Sequence, residues 1–332
     1  MKKHIYIYSP SGAVRDKAAF RRGIKRLQML GHEVEVDEAA LASYQRFAGD
    51  DTTRLAAIER AAASGADVAM IARGGYGLTR ILPAIPYKKV ARAVERGTQF
   101  VGLSDFTAFQ LAVLARTGTS TWAGPSLCEG FGTTDQADDA DGHGNGGQGG
   151  PDEIMEACFE DMILGQGEGT GWRQHKEKDA DIALAGPYHA RRIGEQAAFT
   201  VQDGVLWGGN LSMVCALLGT PYFPLIKDGI LFLEDVAEHP YRIERMLTQL
   251  LLAGVLGQQR AIVLGQFTDY RLVPHDKGFR LQSVVNWLRS QLKVPVLTNL
   301  PFGHVPTKVL LPVGKRCDLQ VQGRDVLLVW GD

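Results

Sequence analysis

The first half of the chain alternates short apolar segments with longer segments whose apolar residues recur at helical spacing. HIYIYSPSG, residues 4–12, predicts a strand followed by a turn, and residues 16–30 predict a helix that stops at Gly31. The alternation continues with predicted strands at 32–38, 67–72 and 98–104 and predicted helices at 51–64 and 87–96. This rhythm predicts a mainly parallel sheet with helices on both faces.

From about residue 199 the pattern changes to shorter strands and turns. Residues 204–219, GVLWGGNLSMVCALLG, predict a turn that leads into an apolar helix. The remaining predicted elements are strands at 229–236, 260–267, 295–304 and 325–330 and helices at 151–164, 240–253 and 281–292. We therefore expect two α/β domains, at 1–165 and 199–332, joined by a polar linker at 166–198.

One segment has almost no apolar content. Residues 133–150 are rich in Gly and Asp, so they cannot bury enough surface to order themselves, and a mobile surface loop is expected there. Its Asp and His residues also permit metal binding, but the spacing of an EF-hand is absent.

Composition is that of an ordinary globular protein, with 45% apolar and 22% charged residues. The formal net charge of −1 gives no indication of nucleic acid or an anionic membrane as a partner. The four cysteines lie far apart and form no CxxC pair, which disfavours a zinc site and a redox dithiol and suits a reducing cytosol. The N-terminal apolar run is too short for a signal peptide, and no stretch of 18 apolar residues exists, so a cytoplasmic location is expected.

Two turns that follow predicted strands carry candidate chemistry, and ligands of parallel sheets bind at such strand ends. In GLSD, residues 102–105, Ser104 stands where a strand turns into a helix, as either an ordinary N-cap or an exposed nucleophile. In ARGGYG, residues 72–77, consecutive glycines permit either a tight turn or the close approach of backbone N–H groups to an anion. ARGGYG matches neither a dinucleotide fingerprint nor a P-loop.

The second half supplies an acid and a histidine. Glu234 and Asp235 close an apolar strand, either as a solvated strand end or as the acid that orients a histidine. His304 lies between prolines in PFGHVP, a constrained setting that suits proton transfer near neutral pH, although lone histidines are often structural. The order Ser104, Glu234, His304 also occurs in α/β-hydrolases, but Phe106 stands where their G-x-S-x-G motif needs a second glycine.

Five motifs in order make the chain resemble the LD-carboxypeptidase family, serine peptidases of muropeptide recycling and microcin immunity. These motifs are ARGGYG (72–77), GLSD (102–105), WGGNLS (207–212), FLED (232–235) and PFGH (301–304). The resemblance implies an N-terminal flavodoxin- or Rossmann-like domain with a mostly parallel sheet and a C-terminal mixed α/β domain. It also implies a homodimer that needs no metal or other cofactor.

The resemblance carries roles to individual residues. Ser104 is the expected nucleophile, His304 the general base and Glu234 the acid that orients it. The amides of Asp105 and Gly75 are the expected oxyanion hole, although the sequence cannot choose between Gly75 and the neighbouring Gly74. The residues expected to contact substrate are Arg73, Tyr76, Trp207 and Asn210.

The expected reaction is removal of the C-terminal D-alanine from murein tetrapeptides through an acyl-enzyme. A peptidyl-nucleotide substrate, as in the microcin-immunity branch, is the first alternative. The second is a non-catalytic module whose two domains bind a small ligand with the RGGYG and WGGN loops. A nucleotide-dependent enzyme is disfavoured because the phosphate-binding motifs are missing.

Overall fold

The computed structural model describes residues 1–134, 150–176, 178, 181 and 197–331. They belong to two compact units: unit 1 comprises 1–167 and 306–311, and unit 2 comprises 168–305 and 312–332. Most of the Gly- and Asp-rich segment 133–150 and most of the predicted linker lie outside the described residues. No helix within the described ranges is long and apolar enough to cross a membrane.

Unit 1 is built on a six-stranded sheet in the order β11-β5-β4-β3-β1-β2. The pairs β1–β2, β1–β3, β3–β4 and β4–β5 are all parallel, and the order of the first five strands is that of flavodoxin-like folds. Its elements are β1 His4–Tyr8, α1 Lys17–Met29, β2 Glu33–Val36, α2 Asp51–Ala63, β3 Val68–Ile71, α3 Leu78–Ile81, α4 Tyr87–Glu95, β4 Gln99–Gly102, α5 Phe106–Thr117, β5 Thr121–Ala123 and α6 Glu153–Leu164. Strand β11, Leu311–Val313, completes the sheet.

Local sequence explains where the helices of unit 1 begin. Asp16, Asp50 and Asp152 each accept backbone N–H groups of the first turn of α1, α2 and α6 at 2.7–2.9 Å, which satisfies donors that a helix start leaves unpaired. Strand β3 is buried along its whole length, as expected for a parallel strand covered on both faces. The core beneath the strands is apolar and includes Ile5, Ile7, Phe20, Leu27, Val68, Met70, Val101, Phe159 and Leu310.

Unit 2 contains a mixed seven-stranded sheet in the order β10-β9-β8-β7-β12-β13-β6. The β7–β8, β8–β9 and β9–β10 pairs are parallel, and the β7–β12, β12–β13 and β13–β6 pairs are antiparallel. Its elements are β6 Gly169–Arg173, β7 Ala198–Asn210, α7 Leu211–Leu217, β8 Ile230–Val236, α8 Pro240–Leu252, β9 Ala261–Thr268, α9 Leu281–Gln291, β10 Val296–Leu297, β12 Arg316–Gln322 and β13 Asp325–Val329. The prediction of a parallel α/β domain followed by a mixed α/β domain is confirmed.

Three local predictions in unit 2 are wrong. The predicted turn at 204–210 is the end of the long strand β7, where a Cβ on Gly208 would collide with the carbonyl oxygen of Phe232 on β8. The glycines there permit close strand packing. Residues 169–173 of the predicted linker form β6, which pairs with β13, and the predicted strand 295–304 is reduced to the two residues of β10 before an irregular loop.

Candidate active-site residues

Ser104 lies in the turn between β4 and α5 of unit 1. Its φ of 66° is in the left-handed region, which is strained for a residue with a side chain and is frequent at functional sites. Asp105 occupies the N-cap position of α5 but makes no side-chain hydrogen bond to the helix, so the interpretation as an ordinary capping side chain is wrong for Asp105. The turn is held by its backbone instead, with the Thr107 amide donating to the Ser104 carbonyl at 2.9 Å.

The ARGGYG loop packs directly against Ser104. A Cβ built on Gly74 would lie 3.0 Å from Ser104 Oγ and 2.8 Å from Ser104 Cβ, so the glycine is what allows this approach. The Gly12 amide, in the loop after β1, donates to the Gly74 carbonyl at 3.1 Å. The loops after β1 and β3 therefore meet beside the nucleophile candidate, where ligands bind in flavodoxin-like sheets.

Backbone amides on both sides of Ser104 have no acceptor. Among the residues that the structure describes, the amides of Gly74, Gly75 and Asp105 donate no hydrogen bond, so the choice between Gly74 and Gly75 stays open. Gly75 has a φ of 113°, which an L side chain rarely adopts, so a glycine is needed to turn the loop there. Unpaired donors beside a serine are the arrangement that stabilises a tetrahedral oxyanion.

The Asp105 side chain points away from solvent and is almost completely buried. Its Oδ2 accepts hydrogen bonds from the Ser11 hydroxyl and from the Leu78 amide, the latter at 2.9 Å. Burial raises the pKa of this carboxyl above its ordinary value, and the hydrogen bonds from Ser11 and Leu78 oppose that effect. The sequence indicated a role only for the backbone of Asp105 and gave no sign of these side-chain contacts.

In unit 2 the acid and the histidine meet. His304 Nδ1 lies 2.8 Å from Glu234 Oε2, and the Glu234 side chain is fully buried at the end of β8. Gly303 has a φ of 138°, and a Cβ there would lie 3.1 Å from Glu234 Oε2, so the glycine lets the His304 loop approach the carboxylate. A carboxylate on Nδ1 fixes the orientation of the ring and directs proton transfer to Nε2.

Asn210 joins two neighbouring acids at this strand end. Its Nδ2 donates to Glu234 Oε1 at 3.2 Å and to Asp235 Oδ1 at 2.9 Å, while its Oδ1 accepts the Met213 amide as the cap of α7. Asp235 is held further by the hydroxyl and the amide of Ser212 at 2.7 and 2.9 Å. Asn210 was expected to contact substrate, whereas its side chain is buried and donates to both acids.

Asp235 is a buried acid at this strand end to which the family resemblance assigned no role. Burial, followed by the charge of Glu234, raises the pKa of its carboxyl, while the bonds from Ser212 and Asn210 lower it. The signal was present in the sequence as the Glu-Asp pair at the end of an apolar strand. Adjacent residues of a strand point to opposite faces, so the sequence pattern alone could not show that Asn210 serves both.

Trp207 requires a correction. Its side chain is fully buried in unit 2, and its indole N–H donates to Gln259 Oε1 at 2.9 Å. The ring also packs edge-on against Phe223, with centroids 5.6 Å apart. Trp207 is therefore a core residue of unit 2 and has no exposed surface with which to touch a substrate.

The other two predicted substrate contacts lie in the ARGGYG loop. Tyr76 is 42% exposed, and its ring lies 5.9 Å from that of Phe47 and under the guanidinium of Arg46. Arg73 pairs with Glu129 at 3.6 Å and donates to the Ala13 carbonyl at 3.4 Å, with only 13% of its side chain exposed. Arg73 therefore braces the loop, whereas Tyr76 presents a surface.

The described residues include side chains and amides of the kinds that acyl transfer uses. Within the described ranges, no group of three or more His, Cys, Asp or Glu residues could hold a metal ion. Unit 1 supplies a serine on a strained turn beside unpaired amides, and unit 2 supplies a histidine oriented by a buried carboxylate. These are the three parts of a serine-peptidase mechanism.

The chain is similar to known carboxypeptidases over most of its length. The model of the LD-carboxypeptidase N-terminal domain matches residues 5–124, and that of the C-terminal domain matches 203–319. The crystal structure of muramoyltetrapeptide carboxypeptidase from Oxalobacter formigenes is 34% identical and covers 99% of both chains with a TM-score of 0.80. The murein tetrapeptide carboxypeptidase of Pseudomonas aeruginosa is 27% identical over 90% of this chain and 87% of its own. The microcin C7 self-immunity protein MccF of Escherichia coli is 24% identical over 76% of this chain and 71% of its own.

Proposed function

Because the chain belongs to the LD-carboxypeptidase family, and is therefore a carboxypeptidase, we propose that it removes the C-terminal D-alanine from murein tetrapeptides. Ser104 is the nucleophile, His304 the general base and Glu234 the acid that orients it. The observation that carries this proposal is the 2.8 Å contact between Glu234 and His304 Nδ1, which pairs a buried carboxylate with an imidazole as serine peptidases do.

The first half of the reaction forms an acyl-enzyme. His304 Nε2 takes the proton of Ser104 Oγ as Oγ bonds to the carbonyl carbon, and the carbonyl oxygen becomes an oxyanion. The Gly75 and Asp105 amides donate to that oxygen, and each such donor is worth roughly 3 kcal/mol in comparable sites. The C–N bond then breaks, and His304 returns the proton to the departing amine of D-alanine.

The second half releases the shortened peptide. Water gives a proton to His304 Nε2 and its oxygen attacks the ester carbonyl, which regenerates the oxyanion in the same hole. Collapse breaks the ester bond, and Ser104 recovers its proton from His304. The Glu234 carboxylate stabilises the imidazolium that forms twice in each cycle.

The substitution Ser104→Ala tests the proposal directly. The purified variant is expected to lose D-alanine release from a tetrapeptide muropeptide by a factor of about 10³ or more, since removal of a nucleophile leaves only binding and the oxyanion donors. Ser290→Ala, on the exposed side of α9, is the matched control. Release at the normal rate by Ser104→Ala would contradict the assignment.

The proposed base also predicts the pH dependence of the reaction. Protonation of His304 removes the base, so kcat/KM should fall on acidification. A flat profile between pH 5 and pH 8 would contradict a histidine base.

The similarity to MccF supports one alternative substrate, a peptidyl-nucleotide, for the same residues. Parallel assays with a tetrapeptide muropeptide and an aminoacyl sulfamoyl adenosine separate the two substrate classes. The substrate cleaved with the higher kcat/KM identifies the class on which the enzyme acts. Tight ligand binding without turnover over hours would instead support a binding module. The homodimer stays a prediction of the resemblance, and the cytoplasmic location stays a prediction from the sequence.

A further inference from the structure

We propose that the Asp105 side chain is a positioning residue that holds the ARGGYG loop, and with it the oxyanion amides, at a fixed distance from Ser104. This role is separate from that of the Asp105 backbone amide. It deepens the proposed function and rests on it, because it concerns how the proposed oxyanion hole is built.

Two contacts to one carboxylate oxygen carry the proposal. Oδ2 of Asp105 accepts from the hydroxyl of Ser11, in the loop after β1, and from the amide of Leu78, the first residue of α3. Leu78 directly follows the ARGGYG loop, which ends at Gly77. A residue that immediately follows Ser104 thus ties down one end of the loop that supplies the Gly75 amide.

Backbone hydrogen bonds connect the loop after β1 to the ARGGYG loop as well. The Gly12 amide donates to the Gly74 carbonyl at 3.1 Å, and the Ala48 amide donates to the Ser11 carbonyl at 3.0 Å. Because Ser11 and Gly12 are adjacent, the loop after β1 is bonded both to Asp105 and to Gly74. The turns after β1, β3 and β4 therefore form one bonded unit with Asp105 at its centre.

The second oxygen argues against a purely stabilising role. Oδ1 of Asp105 is buried and has no hydrogen-bond partner among the described residues. A buried polar atom without a partner lowers stability, so the native state tolerates a cost in order to keep a carboxyl group here. The two hydrogen bonds that Oδ2 accepts explain why a carboxyl group is present here.

Loss of the Oδ2 contacts should affect the transition state and leave ground-state binding in place. The Gly75 and Asp105 amides bind an oxyanion that exists only after attack, so a loosened loop lowers kcat while KM changes little. A displacement of about 1 Å at such a site can cost about 10²-fold in rate. A residue that acted only on folding would not separate kcat from KM in this way.

The experiment compares four variants of the full chain. Asp105→Ala removes both contacts, and Ser11→Ala removes one. Asp105→Asn can keep both, because they share one oxygen that an amide carbonyl can replace. Tyr6→Phe is the matched control, since it removes a buried 2.6 Å hydrogen bond to Asp37 elsewhere on β1.

Two readouts are measured for each folded variant. The first is kcat and KM for D-alanine release from a tetrapeptide muropeptide. The second is the rate at which a fluorophosphonate labels Ser104. In that step His304 takes the proton of Ser104 Oγ, an Oγ–P bond forms, the P–F bond breaks with loss of fluoride, and the phosphoryl oxygen enters the oxyanion hole. Labelling requires the nucleophile and the hole but not the muropeptide, so it separates this proposal from the choice of substrate.

For Asp105→Ala we expect kcat and the labelling rate to fall about 10²-fold with KM within threefold of the original chain. Ser11→Ala should fall in between, Asp105→Asn should recover at least tenfold of the loss, and Tyr6→Phe should change neither readout. If Asp105→Ala does not fold, Ser11→Ala and Asp105→Asn decide the question.

Three results would overturn the proposal. The first is an unchanged kcat in folded Asp105→Ala and Ser11→Ala, and the second is an Asp105→Asn variant as slow as Asp105→Ala. The third is a loss of kcat in the Tyr6→Phe control as large as the loss in Asp105→Ala. An original chain that labels but releases no D-alanine refutes the proposed substrate, and the labelling rates still decide the role of Asp105. An original chain that does neither refutes both proposals.

Discussion

The substitution Gly74→Ala adds one methyl group beside the proposed nucleophile. The backbone of Gly74 does not require a positive φ, so alanine meets no conformational penalty there. Its Cβ would nevertheless lie 2.8 Å from Ser104 Cβ and 3.0 Å from Ser104 Oγ. The effect of this change is therefore steric and is directed at Ser104.

The size of the effect follows from these distances. Carbon atoms pack best at about 3.5–4.0 Å, so relief of a 2.8 Å contact requires Ser104 or the loop to move by roughly 1 Å. Misplacement of a reacting group by that amount costs about 10²-fold in rate. Overpacking of this kind costs about 1–3 kcal/mol in the free energy of unfolding.

The assay is steady-state release of D-alanine by the purified variant, with thermal unfolding measured on the same sample. We expect kcat/KM to fall by about 10²-fold while the variant stays folded at the assay temperature. Gly257→Ala is the control, because a Cβ at that position meets nothing within 4 Å and should change neither quantity. A folded Gly74→Ala variant with unaltered kcat/KM would refute the placement of catalysis at Ser104.

Three further predictions follow from buried groups. Trp207→Phe leaves Gln259 without its donor and should lower the free energy of unfolding by about 1–3 kcal/mol with KM unchanged; a raised KM at constant stability would restore Trp207 as a substrate contact. Asn210→Ala removes a donor to Glu234 and should lower kcat at least about tenfold, which steady-state kinetics measures; equal kcat would show that Glu234 needs no such support. Because the pKa of Asp105 is raised in the folded state, the folded protein binds the carboxyl proton more tightly than the unfolded chain does. The resulting stabilisation is fully present below about pH 4, the ordinary range of an aspartate, and is lost as pH rises through the folded-state pKa. The stability gain of Asp105→Asn should therefore grow between pH 4 and pH 7 in thermal unfolding, and a constant difference would contradict a buried, desolvated carboxyl.

Periodicity predicted the parallel half of the fold well, because strands and helices in unit 1 are separated by clear turn residues. It failed at 204–210, where tryptophan and glycines suggested a turn and the structure shows the end of β7. The reason is tertiary: Gly208 is needed because β8 passes close to it, and close packing is not visible in a single segment. Strand β6 was missed for a related reason, since Gly169–Arg173 has little apolar character and is a strand only through its pairing with β13.

The site shows the same division between local and distant information. Ordered motifs placed Glu234 and His304 as partners across 70 residues, and the structure brings them to 2.8 Å. The motifs could not distinguish a residue that touches substrate from one that supports the acid, so Asn210 and Trp207 were both assigned to the substrate. The buried fraction of each side chain distinguishes a substrate contact from a supporting residue. That fraction depends on what the rest of the chain packs over the side chain.

The return of residues 306–311 to unit 1 has a consequence for biosynthesis. Leu310 belongs to the core of unit 1, and β11 begins at Leu311, yet the whole of 168–305 is made before them. At ordinary translation rates the first unit therefore waits on the order of ten seconds for its last core residue and last strand. During that interval the edge of β5 is open to wrong partners, and an N-terminal fragment ending at residue 167 would retain that open edge permanently.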